Sequence, residues 1–326
     1  MAPRAKADMI VIGGDLCGKG LVPLVRGGNE RQSAAPQGDS RGSGSGSGRI
    51  HTASGGRHGE WIGTFAGKRV SASSDKGLAE LERNIRFHGF YPLRCEPEEL
   101  ERLQADPAAR ERAFEQAMTD TVARWVEIAE EKLAARPVPC VVIPGNDDPY
   151  AIDEALSAGE RVINCEQRVV SFKAAQGIQV VGFGATNRTP WNSPRELDED
   201  QVEAQLGALL AQADPELPLI ANVHAPPYGS QLDDAPRLDS ELRQQHSGGT
   251  ALSKPVGSHA VRRLIEEHQP IVSLHGHVHE SRAARRIGDT LAVNPGSDYS
   301  AGILQAALVT LDLKQRRVRG HQFISG

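Results

Sequence analysis

Residues Ile271 to His279 read Ile-Val-Ser-Leu-His-Gly-His-Val-His, an apolar run followed by a turn glycine and closely spaced histidines. The run from Ile271 to Leu274 is typical of a strand that is covered on both faces. His277 and His279 are two positions apart, so in an extended segment their side chains project to the same side. His275, at the strand end itself, is expected to pack. The segment therefore predicts a buried strand that ends in two imidazoles facing one site.

Three other short apolar runs end in polar residues in the same way. The runs are Met9–Ile12, Val138–Ile143 and Leu217–Val223, and the polar groups at their ends are Gly14-Asp15, Gly145-Asn146-Asp147-Asp148 and Asn222-Val223-His224. In open α/β sheets, ligands bind beyond the carboxyl ends of the strands. Strand ends that carry Asp, Asn and His therefore predict a metal centre at one edge of a sheet.

The composition is that of a globular protein. The chain has 326 residues, of which 39% are apolar and 24% charged, and this length allows about two domains or one large α/β domain. The net charge of −5 gives no basic surface for general nucleic-acid binding. No apolar run could cross a bilayer, and residues 1–6 lack the apolar core of a secretion signal. Four scattered cysteines favour reduced thiols, so we expect a cytoplasmic protein without a membrane partner.

Residues 27–60 differ from the rest of the chain. They are rich in Gly and Ser and include the repeat Gly42-Ser-Gly-Ser-Gly-Ser-Gly48. Such a segment buries too little apolar surface to offset the entropy lost on ordering. We therefore expect a disordered insertion at about 27–60.

The segments between the polar clusters alternate between helical and extended patterns. Residues 98–136 have a helical pattern, with a start at Asp106-Pro107 and a stop at Pro137. Shorter helices are expected at 151–158, at 198–212 and after Ser258. Strands are expected at 168–172, 179–183, 290–293, 303–311 and 317–323, with the last three forming an antiparallel meander. This order predicts an α/β fold class.

The ligand types define the chemistry. Carboxylate, amide and imidazole groups suit Mn²⁺, Fe or Zn²⁺, and the set lacks the thiolates of structural zinc sites. One Asp can bridge two ions, whereas an Asn oxygen is neutral and leaves the pair of ions positively charged. Two ions about 3.5–4 Å apart can stabilise an in-line displacement at phosphorus and lower the pKa of a bound water.

The order Gly-Asp, Gly-Asn-x-Asp, His and Gly-His-x-His resembles the calcineurin-like metallophosphoesterase family, from about Asp8 to the carboxyl end. The resemblance implies a single metallophosphoesterase domain over residues 1–326, folded as a four-layer α/β/β/α sandwich with two divalent metals over the strand ends. It also implies that Asn294-Pro295-Gly296-Ser297 is a structural turn that packs the strand ends.

The family's ligands can be carried over to this sequence at five positions. The resemblance implies that Asp15 bridges the two metals and that His279 reaches the first. It assigns the second metal to Asn146, His224 and His277.

The family's first motif, Asp-x-His on an opening strand, has no counterpart before Asp15. The sandwich would therefore lack its first strand, and the first metal would keep only Asp15 and His279. One explanation is that the sequence starts too late, in which case the upstream DNA should encode an apolar strand ending in Asp-x-His. The other is a genuine loss, which would leave one metal in this chain.

Asp147 stands where many relatives have His, the residue taken to protonate the leaving oxygen. Asp147 could do so if its pKa is raised, for instance by burial or by Asp148 beside it. Alternatively, the leaving group needs no acid, or Asp147 is structural. Asp147 and Asp148 are the candidate catalytic residues.

These observations predict a metal-dependent phosphoesterase in which a metal-activated hydroxide attacks a small phosphomonoester or phosphodiester. The low basic content makes a processive nuclease less favoured than a small-molecule hydrolase. The alternative is a non-catalytic metal-binding or regulatory protein that has lost the first metal site.

Overall fold

The computed structural model describes residues 7–27, 59–136, 138–173, 177–239 and 241–326. Most of the Gly/Ser-rich segment at 27–60 lies outside these residues, so its disorder stays a prediction.

The described residues contain six α-helices: α1 (Asp75–Phe87), α2 (Pro97–Ala105), α3 (Pro107–Ala134), α4 (Ile152–Leu156), α5 (Glu199–Leu210) and α6 (His259–His268). The same residues contain 21 strands, many of them short: β1 (Ile10–Ile12), β2 (Leu21–Arg26), β3 (Trp61–Phe65), β4 (Lys68–Ala72), β5 (Tyr91–Cys95), β6 (Cys140–Val142), β7 (Val162–Asn164), β8 (Arg168–Phe172), β9 (Ile178–Phe183), β10 (Thr186–Asn187), β11 (Glu196–Leu197), β12 (Leu219–Val223), β13 (Asp234–Pro236), β14 (His246–Ser247), β15 (Thr250–Ala251), β16 (Ser253–Pro255), β17 (Val272–Leu274), β18 (Ala283–Ile287), β19 (Thr290–Asn294), β20 (Gln305–Asp312) and β21 (Arg317–Ser325).

The predicted helix boundaries are largely confirmed. Helix α3 begins after Asp106, whose carboxylate accepts a hydrogen bond from the Ala108 amide at 2.9 Å, and it ends before Pro137. Ser258 caps α6 by accepting a hydrogen bond from the Val261 amide at 3.1 Å. Such caps satisfy amides that have no partner within the helix.

Contacts divide the chain into two compact units. The first comprises Met1–Leu16, Val122–Asp298 and Ile303–Gly326, and the second comprises Cys17–Thr121 and Tyr299–Gly302. The interpretation of residues 1–326 as a single domain stays a prediction.

The first unit contains two sheets with parallel strands. A six-stranded sheet has the order β18-β19-β17-β12-β9-β8, in which β19, β17, β12 and β9 are parallel and the two outer strands are antiparallel to their neighbours. A three-stranded parallel sheet has the order β1-β6-β7. Strands β20 and β21 form an antiparallel hairpin.

Two apolar cores lie against the six-stranded sheet. One core joins β9 and β12 to helices α5 and α6 through side chains such as Leu206 and Val261. The other joins β9, β12, β17 and β19 to Val141 and Ile143, at β6 of the smaller sheet, and to the β20–β21 hairpin. The strand ends are therefore held by packing on both sides of the six-stranded sheet.

The second unit contains a four-stranded sheet with the order β4-β3-β2-β5, in which only the β2–β5 pair is parallel. Helix α1 packs Leu78 and Ile85 against Val22 and Leu24 of this sheet.

The described residues therefore form a mixed α/β fold, as the sequence predicts. The four-layer α/β/β/α arrangement and the absence of its first strand stay predictions. None of the helices in the described part of the chain has the length and apolarity needed to span a membrane.

Glu166 lies between β7 and β8, where its Oε2 accepts a hydrogen bond from the Gly184 amide at 2.7 Å. Burial raises the pKa of this carboxyl to about 7. Asp153 adds to the rise, whereas Arg195, the Gly184 amide and His224 oppose it.

We predict that Glu166→Gln stabilises the protein more at pH 7.5 than at pH 5. The unfolded carboxyl loses its proton near its ordinary pKa, while the folded one keeps it until about pH 7. The free energy of unfolding of the parent therefore falls as pH rises through this window, by up to about 2–3 kcal/mol. Urea unfolding at pH 5 and pH 7.5 measures the difference in free energy of unfolding between Glu166→Gln and the parent. Glu127→Gln, at an exposed surface position, is the control, and an equal effect of Glu166→Gln at both pH values would contradict the raised pKa.

Candidate metal centre

Asp15 follows β1 in an unusual backbone conformation. Its φ of 55° and the φ of 103° at Gly14 place both residues in regions that L side chains rarely adopt. The turn points the carboxylate at the ends of the neighbouring strands. Oδ1 is buried and has no hydrogen-bond partner among the described residues. A buried carboxylate oxygen without a partner is costly, so this oxygen is suited to a cation.

His224, at the end of β12, is 1% exposed. Its Nδ1 donates a hydrogen bond to the Gly13 carbonyl, which fixes the ring orientation. Its Nε2 lies 3.2 Å from Asp15 Oδ2 and 3.1 Å from Asn146 Oδ1. A histidine oriented through one nitrogen by a carbonyl presents the other nitrogen as a metal ligand.

Asn146 follows β6 and is also buried. Its Nδ2 donates to Asp147 Oδ1 at 2.9 Å and to Ser193 Oγ at 3.0 Å. These two acceptors turn its Oδ1 towards His224 and towards His277, whose Nδ1 is 2.8 Å away. The amide oxygen is thus presented on the side of the two imidazoles.

The loop after β17 brings His277 and His279 to this site. His277 has a φ of 64°, and His279 Nε2 lies 3.6 Å from Asp15 Oδ2. Asn294 supports the loop, since its Nδ2 donates to the carbonyl of Val278 at 2.9 Å and its Oδ1 accepts from the Gly296 amide. The predicted structural role of the Asn294–Ser297 turn is therefore confirmed.

The five predicted ligands come together at the ends of β1, β6, β12 and β17. Asp15, His224 and His277 each offer a ligand atom within 4.8 Å of the others, and Asn146 and His279 adjoin this group. A carboxylate, an amide oxygen and imidazoles form a donor set that a divalent cation accepts. The residues present therefore fit a metal ion.

The electrostatics of the cluster match this interpretation. Burial disfavours a proton on His224, but the adjacent Asp15 carboxylate outweighs it and raises the pKa of His224 to about 9. Burial, reinforced by His224, lowers the pKa of His277 to about 4. Burial also opposes ionisation of Asp15, yet His224 holds its pKa well below the usual range. The cluster contains a carboxylate that attracts positive charge.

Asp147 and Asp148 occupy different environments. Asp148 is buried, and its Oδ2 accepts hydrogen bonds from the amides of Leu16 at 3.0 Å and Gly145 at 2.7 Å. Asp147 is exposed at the rim, and its Oδ1 accepts a hydrogen bond from Ser193 Oγ at 2.6 Å. Partial burial, followed by the Asp15 charge, raises the pKa of Asp147, although solvent contact weakens such effects. Catalytic roles for both stay predictions.

The sequence does not reveal three residues that support the site. Ser193 contacts Asn146 and Asp147, Arg195 is buried behind them, and Glu196 accepts hydrogen bonds from the amides of Thr189 and Ser193, both at 2.8 Å. The only signal is the stretch from Thr186 to Pro194, which predicts a loop that either binds a substrate through Arg188 and Trp191 or is ordered by its two prolines. That loop gives no indication of which side chains turn inwards.

His275 packs as predicted. It is 3% exposed and lies 2.8 Å from Ser273 Oγ and 2.9 Å from the carbonyls of Val223 and Ala225. Burial lowers its pKa to about 4.

Comparison with known proteins gives a clear relative. No known family profile matches the chain. The uncharacterized protein MJ1162 of Methanocaldococcus jannaschii is 30% identical over 177 residues, which cover 52% of this chain and 70% of the relative. The crystal structure of TT1561 of Thermus thermophilus gives a TM-score of 0.41 at 19% identity, covering 64% of this chain and 79% of that one. A second crystal structure gives 0.42 at 19% identity, covering 77% and 93%. Structural similarities this low decide neither fold nor function.

We predict that Gly145→Ala disrupts the centre. An added Cβ would clash with Oδ1 and the amide of Asp15 and would lie 2.8 Å from His224 Cε1. Overpacking of this kind costs about 1–3 kcal/mol, so the melting temperature should fall, as measured by circular dichroism. Gly320→Ala is the matched control, since nothing lies within 4 Å of its added Cβ. Equal melting temperatures for the two variants would contradict the crowding around Asp15.

Proposed function

This chain belongs to the same family as the uncharacterized protein MJ1162, and we propose that it is a metal-dependent phosphoesterase. The observation that carries the proposal is the buried, unpaired Oδ1 of Asp15 beside Asn146, His224 and His277. Without a cation, this buried carboxylate oxygen would have no partner among the described residues, which is costly.

The chain's own residues would hold a divalent metal, with Mn, Fe or Zn compatible with the donor set. Asn146, His224 and His277 would hold one ion, Asp15 would contact it and a second, and His279 would contact the second. When bound, such ions lower the pKa of a water and stabilise charge on phosphoryl oxygens.

The surrounding residues would orient these groups and the substrate. The Gly13 carbonyl fixes the ring of His224, and Ser193 with Asp147 fixes the amide of Asn146. Asp147 lies at the exposed rim, where it could donate a proton to the leaving oxygen. The proposal covers both phosphomonoesters and phosphodiesters as small-molecule substrates. The alternative to a role for Asp147 is a leaving group that departs without protonation.

A non-catalytic metal-binding or regulatory protein is the second candidate. It is favoured by the ligand count, because the described residues supply only Asp15 and His279 for a first metal. Metal analysis after dialysis against Mn²⁺ separates the two candidates: a chain with two ions favours the phosphoesterase, and one with a single ion and no activity favours the rival.

We predict that the protein hydrolyses bis-p-nitrophenyl phosphate with added Mn²⁺ and that His277→Ala lowers kcat/KM by at least about 100-fold. The reason is that His277 faces Asn146 Oδ1 within the cluster. Release of p-nitrophenolate is the measurement, and His321→Ala, at an exposed position on β21, is the control. Equal activity of parent and His277→Ala would refute catalysis at this centre.

We predict that Asp147→Asn slows hydrolysis of diphenyl phosphate more than hydrolysis of bis-p-nitrophenyl phosphate. Phenolate is the poorer leaving group and gains more from a proton donor, whereas the amide oxygen of the substituted side chain can still accept the Ser193 hydrogen bond. The ratio of the two kcat/KM values is the measurement. An unchanged ratio with unchanged rates would remove Asp147 from the mechanism.

A further inference from the structure

Arg195, between the loop at Ser193 and β11, has no assigned role in the proposed reaction. It is 2% exposed and among the largest fully buried side chains of the described residues. A guanidinium carries five N–H donors and keeps its charge, so its burial is costly unless those donors find acceptors. The acceptors therefore indicate what the side chain is for.

The donors of Arg195 converge on the segment that follows β6. Nε donates to the Asp148 carbonyl at 2.8 Å, and Nη2 donates to the Pro149 carbonyl at 3.0 Å. Nη2 and Nη1 also donate to the two carboxylate oxygens of Asp153, at 2.6 and 3.3 Å. The guanidinium carbon lies 4.3 Å from the centre of the Tyr150 ring.

The backbone of Arg195 contacts the same segment. Its amide donates to the carbonyl of Asn146 at 3.2 Å. Two residues earlier, Ser193 contacts the side chains of Asn146 and Asp147. Arg195 thus contacts Asn146, Asp148, Pro149 and Tyr150, and Ser193 contacts Asp147. Two nearby residues therefore hold every position of the turn Asn146–Tyr150.

This turn carries the amide ligand of the centre. Asn146 must present Oδ1 to His224 and His277 rather than turn away, and its side-chain direction follows from the backbone on either side. At the start of the turn, the Asp148 amide donates to the Gly145 carbonyl at 3.2 Å, the upper end of the usual range. The Arg195 side-chain contacts to the Asp148 and Pro149 carbonyls are shorter and charge-assisted, and such bonds are roughly twice as strong as neutral ones.

We propose that Arg195 is a positioning residue for the metal centre: its guanidinium fixes the turn Asn146–Tyr150 so that Asn146 Oδ1 faces the two imidazoles. This inference rests on the proposed metal site, though not on hydrolysis. Residues that orient ligands without touching the metal typically change metal affinity about 10–100-fold when replaced.

Titration calorimetry with Mn²⁺ on the parent, Arg195→Lys and Arg161→Lys tests this role. Lysine keeps the charge, but its three donors share one nitrogen and cannot reproduce the four hydrogen bonds that the three guanidinium nitrogens make. Arg161 is the matched control because its guanidinium lies in the same unit and pairs at 3.1 Å with Glu130, which is not one of the candidate ligands. We expect Arg195→Lys to raise the Kd for Mn²⁺ about 10–100-fold and Arg161→Lys to leave it within about twofold. This difference in Kd should hold even if the two variants differ in melting temperature without metal.

The outcomes separate this role from the proposed function. An unchanged Kd in Arg195→Lys, or an equal rise in Arg161→Lys, would overturn the positioning role. If Arg195→Lys does not fold, Asp153→Asn is measured instead, because it leaves Arg195 in place but weakens its carboxylate partner. A Kd of Asp153→Asn for Mn²⁺ within twofold of the parent value would overturn the positioning role. Mn²⁺ binding that depends on Arg195 without phosphoesterase activity would support positioning while refuting the proposed hydrolysis. A parent that binds no Mn²⁺ would overturn both.

Discussion

The partly buried carboxylate of Asp15, whose Oδ1 is fully enclosed, is the constraint on which the candidate centre depends. Ion pairing to His224 engages one of its oxygens, and the other has no partner among the described residues. Room for it exists only because the nearby positions Gly14 and Gly145 have no side chain; a Cβ at either would overlap with His224, Asp15 or the backbone. Burial of this charge is tolerable only when positive charge or hydrogen bonds compensate it.

The centre also depends on how the two parallel sheets of the first unit meet. Asp15 and Asn146 follow strands of the three-stranded sheet, whereas His224 and His277 follow strands of the six-stranded sheet. Two polar contacts join the sheets next to the ligands: His224 donates to the Gly13 carbonyl, and Asn222 Nδ2 donates to the Ile12 carbonyl at 3.0 Å. The apolar core shared by β6, β9, β12 and β17 supports these contacts. Ligand geometry is therefore a property of sheet packing as much as of the ligands' own loops.

The clustering of the candidate ligands could be predicted from sequence because each lies within a few residues of a short apolar run, and the ends of parallel strands meet. The α3 boundaries were predictable from Asp106 and Pro137 for an equally local reason. By contrast, the sheet β4-β3-β2-β5 of the second unit was not predicted, since its strands are short and Gly- or Arg-containing and lack clear alternation.

Arg195 and Glu166 show a different limit of sequence reasoning. Both are charged residues in loops, where such side chains are normally solvated. Arg195 is buried through contacts with Asp148 and Asp153, and Glu166 is partly buried beside Gly184. Long-range contacts of this kind leave no periodic pattern in the chain, so a sequence pattern indicates the candidate ligands more readily than the residues that support them.

The left-handed backbone at Asp15 and His277 limits how this centre could evolve or be redesigned. Asp, Asn and His are the non-glycine residues that adopt positive φ most readily, so at these two positions ligand chemistry and backbone preference select the same residue types. Exchange of either for cysteine or glutamate, to favour a softer or larger ion, would carry a conformational penalty of about 1–2 kcal/mol in addition to any change in affinity. Asn146 and His224 have ordinary φ values. The donor set of the candidate centre is therefore more open to change at Asn146 and His224 than at Asp15 and His277.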